Sequence, residues 1–316
     1  MSASLSYFAA ELDVEDNYLT GDLWPISKMG KIEYFFAYDN MLGGETTKDP
    51  YSNGTRSYGD LESSPILQAT SLKALDLSTN YYYGTIPPSI ANMNKLEELY
   101  LEDDELEGGI IPELFGLPRL EKLYLGTNYL TSTLPAEVGN AKSLSKDCSI
   151  FHCFYPSSFS LNLRLFLLLY IASFRAQDNY RQRDNGSIRS KGIMGTIPMS
   201  IANLERLEDL RLENNFISGT LHAEMGNLRN LVRMRLDLNV LRGSIPASFA
   251  NLVSLKTFAL SGNYMTGSLH PPGLKYSTHL TTLDLHDNSF SGTMPSEWGG
   301  LHNLTALDVS YNQLTG

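Results

Sequence analysis

The chain has 316 residues, of which 42% are hydrophobic, enough to bury the core of one large domain or two ordinary ones. A formal net charge of −11 excludes nucleic acid as the main partner, because phosphate binding needs a basic face. Two cysteines, Cys148 and Cys153, exclude a disulfide scaffold and a CxxC-type metal site.

Read from the N-terminus, the opening MSASLSYFAA lacks the charged stretch and the apolar run of a secretory leader. A spaced pattern then takes over. Leucine-like residues stand 8, 5 and 3 places before an asparagine and 2 places after it, and a glycine stands 4 places after it. The asparagine falls at Asn17, Asn40, Asn80, Asn128, Asn215, Asn239, Asn263, Asn288 and Asn312, and Asp104 and Lys191 take its place in two further copies. Most steps are 24 residues, so nine asparagines and two substitutes make an array of about eleven repeats.

Elementary chemistry accounts for the spacing, taking 283–295, LDLHDNSFSGTMP, as the example. Leu283 and Leu285 alternate with polar residues, the period of a strand with one buried face. The Asn288 amide can bond backbone groups of its own turn and of the neighbouring coil, which would otherwise be unpaired. Gly292 permits a backbone conformation that a side chain resists. Pro295, with fixed φ and no N–H, is expected at the first residue of a short helical turn. Phe290 and Met294 are expected to point inward with the leucines. One such coil cannot stand alone, because stacking is what covers both of its flanks. The Asn, Gly and Pro of the unit therefore read as structural, not catalytic.

Two stretches interrupt the array. Residues 43–65 are polar and rich in Gly, Ser and Thr, and are expected to form a surface loop. Residues 145–190 hold both cysteines, a ten-residue apolar run LFLLLYIASF (165–174) and then a basic polar run. The run falls short of the ~20 residues needed to cross a bilayer. The segment is expected to be a non-repeat insertion, either mis-spliced or disordered sequence or an island domain. Repeats thus occupy 1–144 and 191–316. Met1 lies just before a strand and Gly316 falls in mid-repeat, so the chain is expected to be a piece of a longer protein.

The tails GTIPPSIANM (84–93), GTIPMSIANL (195–204) and GSIPASFANL (243–252) resemble the plant-type leucine-rich repeats of receptor-like proteins, receptor-like kinases and polygalacturonase inhibitors. The resemblance implies a right-handed α/β solenoid, a horseshoe with a concave parallel β-sheet and convex 3-10 or short helical turns. It also implies a non-catalytic recognition module at the plasma membrane or outside the cell. Such a module would bind a peptide, glycan or protein partner, with a co-receptor, on the concave face. The alternatives are a soluble secreted inhibitor, an intracellular scaffold or a non-functional gene fragment. Ice binding would need a regular ladder of Thr or Asn, and the concave columns mix Asp, Tyr and Arg instead.

The middle column of that face runs Asp13, Phe36, Asp76, Tyr100, Tyr124, Arg211, Arg235, Ala259, Asp284 and Asp308. With its neighbours Asp209 and Glu213 it gives two candidate ligand-binding patches. One is aromatic, Tyr34, Phe36, Tyr38, Tyr100 and Tyr124; the other is basic, Arg211, Arg233 and Arg235. Exposed Tyr and Arg are the types enriched at binding hot spots. Asn53, Asn185 and Asn303 sit in glycosylation triplets, and Asn53 and Asn303 are the accessible candidates. There is no phosphate loop of the GxxxxGK type and no kinase signature. His152, His222, His270, His279, His286 and His302 show no metal-ligand spacing, so no cofactor or metal is expected. His286, beside Asp284 and Asp287, reads as a solvated side chain and not as a general base.

Overall fold

Each repeat closes into one coil, and the coils stack in chain order. The computed structural model describes residues 10–21, 26, 29–43, 59–144, 148–149, 192–269, 274 and 277–315. In a typical coil Leu207, Leu210, Leu212, Ile217, Leu221, Met225 and Leu228 are all buried. Equivalent residues stack between coils: Leu210 pairs with Met234, Met234 with Phe258 and Phe258 with Leu283. The concave ladder is parallel throughout. It comprises one five-stranded sheet, from Glu11–Asp13 to Lys122–Tyr124, and one six-stranded sheet that ends at Ala306–Asp308. This is a leucine-rich repeat solenoid.

The asparagines tie each coil to the one before it. Asn239 Oδ1 accepts from Ile217 N at 2.9 Å, while its Nδ2 donates to Leu212 O at 2.8 Å and Leu236 O at 3.1 Å. Asn40, Asn80, Asn128, Asn215, Asn263, Asn288 and Asn312 repeat the same Oδ1 contact with the preceding coil. Asn17, in the first described coil, is exposed; its side-chain Nδ2 donates within its own turn, to Val14 O and Glu15 O. Asp104 keeps half of the arrangement. Its Oδ1 accepts from Asn80 N at 3.1 Å and Tyr82 N at 3.2 Å, but its buried Oδ2 has no hydrogen-bond partner. Burial holds this carboxyl well above the usual carboxylate range.

A second set of strands, which the periodicity did not reveal, follows the asparagine. Phe216–Thr220, Val240–Gly243, Tyr264–Ser268 and Ser289–Gly292 lie in one six-stranded lateral sheet. The residue before each asparagine makes the corner by adopting positive φ, even where it is Thr79, Thr127 or Leu238. The repeat glycine has two reasons to be glycine. Gly219 has φ +83°, and a Cβ there would lie 2.8 Å from Thr196 Cγ2 of the preceding coil. Gly108, Gly195 and Gly243 meet Thr85, Thr133 and Thr220 in the same way.

The convex side is built of 3-10 turns such as Ala247–Asn251. Their prolines correct one expectation: Pro295 precedes the turn Ser296–Gly300 as its N-cap and does not open it. Its carbonyl accepts from Trp298 N at 3.2 Å, and its fixed φ of −67° aims the chain into the turn. Met294 corrects another. Phe290 is buried, but Met294 is 44% exposed, because no later 3-10 turn packs over it among the described residues.

Both interruptions fall inside coils. Gly43 and Gly59 meet so closely that a Cβ on Gly59 would lie 2.4 Å from Gly43 Cα. From Gly59 the chain is solenoid again. Gly59–Asp60 is a lateral strand paired with Tyr82–Thr85, and Leu61 and Ile66 are fully buried. The stretch GDLESSP (59–65), expected as loop, takes the place that GTIPPSI (84–90) takes one coil later; Asp60 and Leu61 stand in for Thr85 and Ile86. In the second interruption, Cys148–Ser149 enters the concave ladder through Cys148↔Leu210 and Ser149↔Arg211. The same coil resumes at Met194–Thr196 and the turn Met199–Asn203. A concave strand thus lies within 145–190, where none was expected, and Lys191 lies outside the described residues. Among the described residues no helix is long and apolar enough to cross a membrane.

Candidate recognition surface

The concave sheet splits the aromatic patch in two. Tyr34 and Phe36 lie on the strand Tyr34–Phe36, with Tyr38, 42% exposed, just beyond it. The strand Ala74–Asp76 follows, carrying a half-buried Asp76. Only then come Glu98–Tyr100 and Lys122–Tyr124, whose register sets Tyr100 against Tyr124. Those two rings stack with centroids 4.8 Å apart and 20° between planes. Polar groups fix the pair from the side: Tyr100 OH donates to Glu98 Oε2 at 2.8 Å, and Lys122 Nζ sits 2.9 Å from Glu98. Tyr34 has its own cation, Lys73 Nζ, 5.7 Å from the ring centroid and 2.6 Å from Glu33.

The basic patch is organised by an acid. Asp209 is fully buried, and its Oδ2 takes Arg211 at 2.9 Å and Arg233 at 2.6 Å. Arg233 lies on the next strand in register with Asp209, so one carboxylate clamps two coils. Arg235 stands exposed on the same strand as Arg233. The sequence placed Asp209 and Glu213 among exposed residues, but both are buried, at 0% and 3% exposure. Ala259 is buried too, so the middle column is interrupted there. Next to Glu213, the Asp237 carboxyl is pushed up to about 6, first by burial and then by the charge of Glu213.

At the far end, Asp284 and Asp308 face each other in register on adjacent strands. His286 Nδ1 lies 2.8 Å from Asp284 Oδ1 and 4.0 Å from Asp308 Oδ2. His286 is therefore half-buried and partnered, not freely solvated. The Asp284 carboxylate raises its pKa. Burial is the largest single influence on Asp284 and pushes it up, but the His286 side-chain bond, its charge and its backbone N–H together hold that carboxyl below its ordinary value. No sequence window links these three groups, because Asp308 belongs to the following coil.

Of the remaining candidates, Asn303 is exposed on the convex side, where its Nδ2 donates to Thr278 O at 2.7 Å. Asn53 and Asn185 lie outside the described residues. His222 is the N-cap of the turn Ala223–Asn227, with Nε2 2.9 Å from Ile197 O, a structural contact.

Comparison with known proteins agrees with this architecture. A family model described as Leucine Rich Repeat matches residues 71–93 and 279–301. The chain is similar to Receptor-like protein 41 of Arabidopsis thaliana, 29% identical over 119 residues, which are 34% of this chain and 13% of that protein. Among solved structures, it is similar to the plant peptide hormone receptor RGFR1 in complex with RGF2. The TM-score there is 0.66 at 26% identity, covering 96% of this chain and 44% of that one. It is likewise similar to the Arabidopsis receptor kinase HAESA in complex with the peptide hormone IDA and the co-receptor SERK1. The TM-score is 0.68 at 25% identity, covering 97% and 46%. The chain spans about an eighth of that curated relative and less than half of each receptor structure. With the repeat signature, the asparagine-tied coils and these likenesses together, the chain has the leucine-rich repeat fold and is similar to plant-type leucine-rich repeat proteins.

Proposed function

We propose that this chain is the recognition portion of a cell-surface receptor-like protein, and that an extended peptide or protein segment lies across its concave sheet. The observation that carries the reading is a parallel concave face whose five-stranded sheet presents a stacked Tyr100–Tyr124 surface and whose six-stranded sheet presents an arginine surface around Asp209. Tyr and Arg are the residue types that anchor interfaces. The tyrosine pair offers a flat apolar bed for a side chain. Arg235, exposed beside the Asp209 clamp, offers a planar fork for a ligand carboxylate. RGFR1 and HAESA are described with peptide hormones, and HAESA also with a co-receptor. By likeness, the partner here is a peptide, with a co-receptor beside it. The role is recognition, not catalysis, at the plasma membrane or in the extracellular space. Residues 1–144 and 191–316 both contribute to the surface.

The test is to pan a peptide display library against the purified chain and remeasure the winners on Tyr124→Ala and Arg235→Glu. The reading expects an enriched consensus whose affinity falls roughly tenfold, about 1.4 kcal/mol, in at least one variant. No enrichment, or binders indifferent to both changes, would remove the concave surface as the site.

A further inference from the structure

We infer that Asp284, His286 and Asp308 form a divalent transition-metal site on the concave face, with one imidazole nitrogen and two carboxylate oxygens as protein ligands. The three ligand atoms lie within 4.8 Å of one another. Metal–ligand bonds of ~2.0–2.2 Å place ligand atoms roughly 3–3.6 Å apart, and the separations of 2.8 Å and 4.0 Å bracket that span. Asp308 is half-exposed, so closing the longer gap needs only a small rotation of its side chain.

The fold itself creates the problem that a cation solves. The 284↔308 register sets two carboxylates directly opposite each other on neighbouring strands, where like charges repel. Both carboxylates are aimed by neighbouring donors. Ser310 Oγ and N donate to Asp308 Oδ1 at 2.6 Å and 2.9 Å, which leaves Oδ2 turned towards His286. Asp284 Oδ1 accepts from His286 N at 3.2 Å. Such outer contacts orient ligands in metal sites. A nitrogen with two oxygens suits Zn²⁺ or a neighbouring first-row ion, whereas Ca²⁺ wants six to eight oxygens. Three ligands from one side leave the rest of the coordination shell open to the concave groove, where water or a donor atom of a ligand completes it. The site stands apart from the aromatic and arginine surfaces and does not depend on the role proposed for them.

The experiment is a calorimetric titration of the tag-free chain with Zn²⁺ alone at pH 7.5, with the imidazole resonances of the histidines followed in parallel. The expected result is saturable 1:1 binding that shifts the His286 resonance. His286→Ala and Asp308→Asn should each weaken it by roughly tenfold or more, while the exposed His302→Ala leaves it unchanged. Excess Ca²⁺ should not displace the ion. Absence of saturable binding overturns the assignment, and so does binding that survives both ligand variants. Because Asp308 is half-exposed, D308N remains informative even if H286A fails to fold.

Discussion

Replacing Asp104 by Asn should stabilise the protein, and by an amount that grows with pH. Asp104 occupies an asparagine position, is 4% exposed and leaves Oδ2 without a partner. An unsatisfied buried group costs about 1–3 kcal/mol. An amide nitrogen there can donate to the Leu77 and Leu101 carbonyls, as Asn80 Nδ2 donates to Ala37 O and Leu77 O, both at 2.9 Å. The expected gain at pH 7.5 is about 2 kcal/mol, or roughly 3 °C in Tm for a chain of 316 residues. The sign of the pH effect follows from burial. The folded pKa lies well above the usual 3.8, so the native protein keeps a proton that the unfolded chain releases. Wild-type stability therefore falls as pH rises from about 3.8 through the folded value. At pH 4.5 the carboxyl is protonated and can itself donate, so the gain should shrink below ~1 kcal/mol. Thermal unfolding by circular dichroism at pH 7.5 and 4.5, at fixed salt, measures both numbers. An equal gain at the two pH values, or none at pH 7.5, would refute this account of Asp104.

Gly219→Ala should cost about 2–4 kcal/mol, combining strain at φ +83° with the 2.8 Å approach to Thr196. Thr196→Ala in the same background should recover the steric share only, and Gly116→Ala, with nothing within 4 Å, should be near neutral in the same urea titrations. Asp237→Asn should flatten stability between about pH 4 and 6, because a carboxyl raised from 3.8 to about 6 destabilises the native state by up to ~3 kcal/mol at neutral pH. A variant whose pH profile still slopes across that window would point to another group, with Glu213 the first to examine.

The repeat period made the concave strands, the buried leucines and the asparagine column legible, because each depends on spacing within one coil. What spacing could not show was anything decided between coils. Thr196 and Gly219 are 23 residues apart, and only stacking reveals that one methyl group keeps the other position free of side chains. The lateral sheet stayed hidden because each of its strands buries a single apolar residue, such as Ile217, Leu241, Met265 or Phe290, too few to show a period, and because the corner before it uses positive φ at Leu238 and Thr127, residues that do not announce a turn. Asp60 and Leu61 were read as loop because polar neighbours masked a unit that fits the G-x-I-P place only when threaded.

The candidate surface divides along the same line. Sequence alone determined which side chains the concave strands carry, since the strand period of two fixes which residues share a face. It could not determine which of them meet. Tertiary stacking pairs Tyr100 with Tyr124 and sets the Ala74–Asp76 strand between them and Tyr34. It buries Asp209 under two guanidiniums and brings Asp308 to His286. The physical reason is that a solenoid makes contacts one full coil apart, so a group's charge, burial and partners are set by the coil beside it, not by its neighbours along the chain.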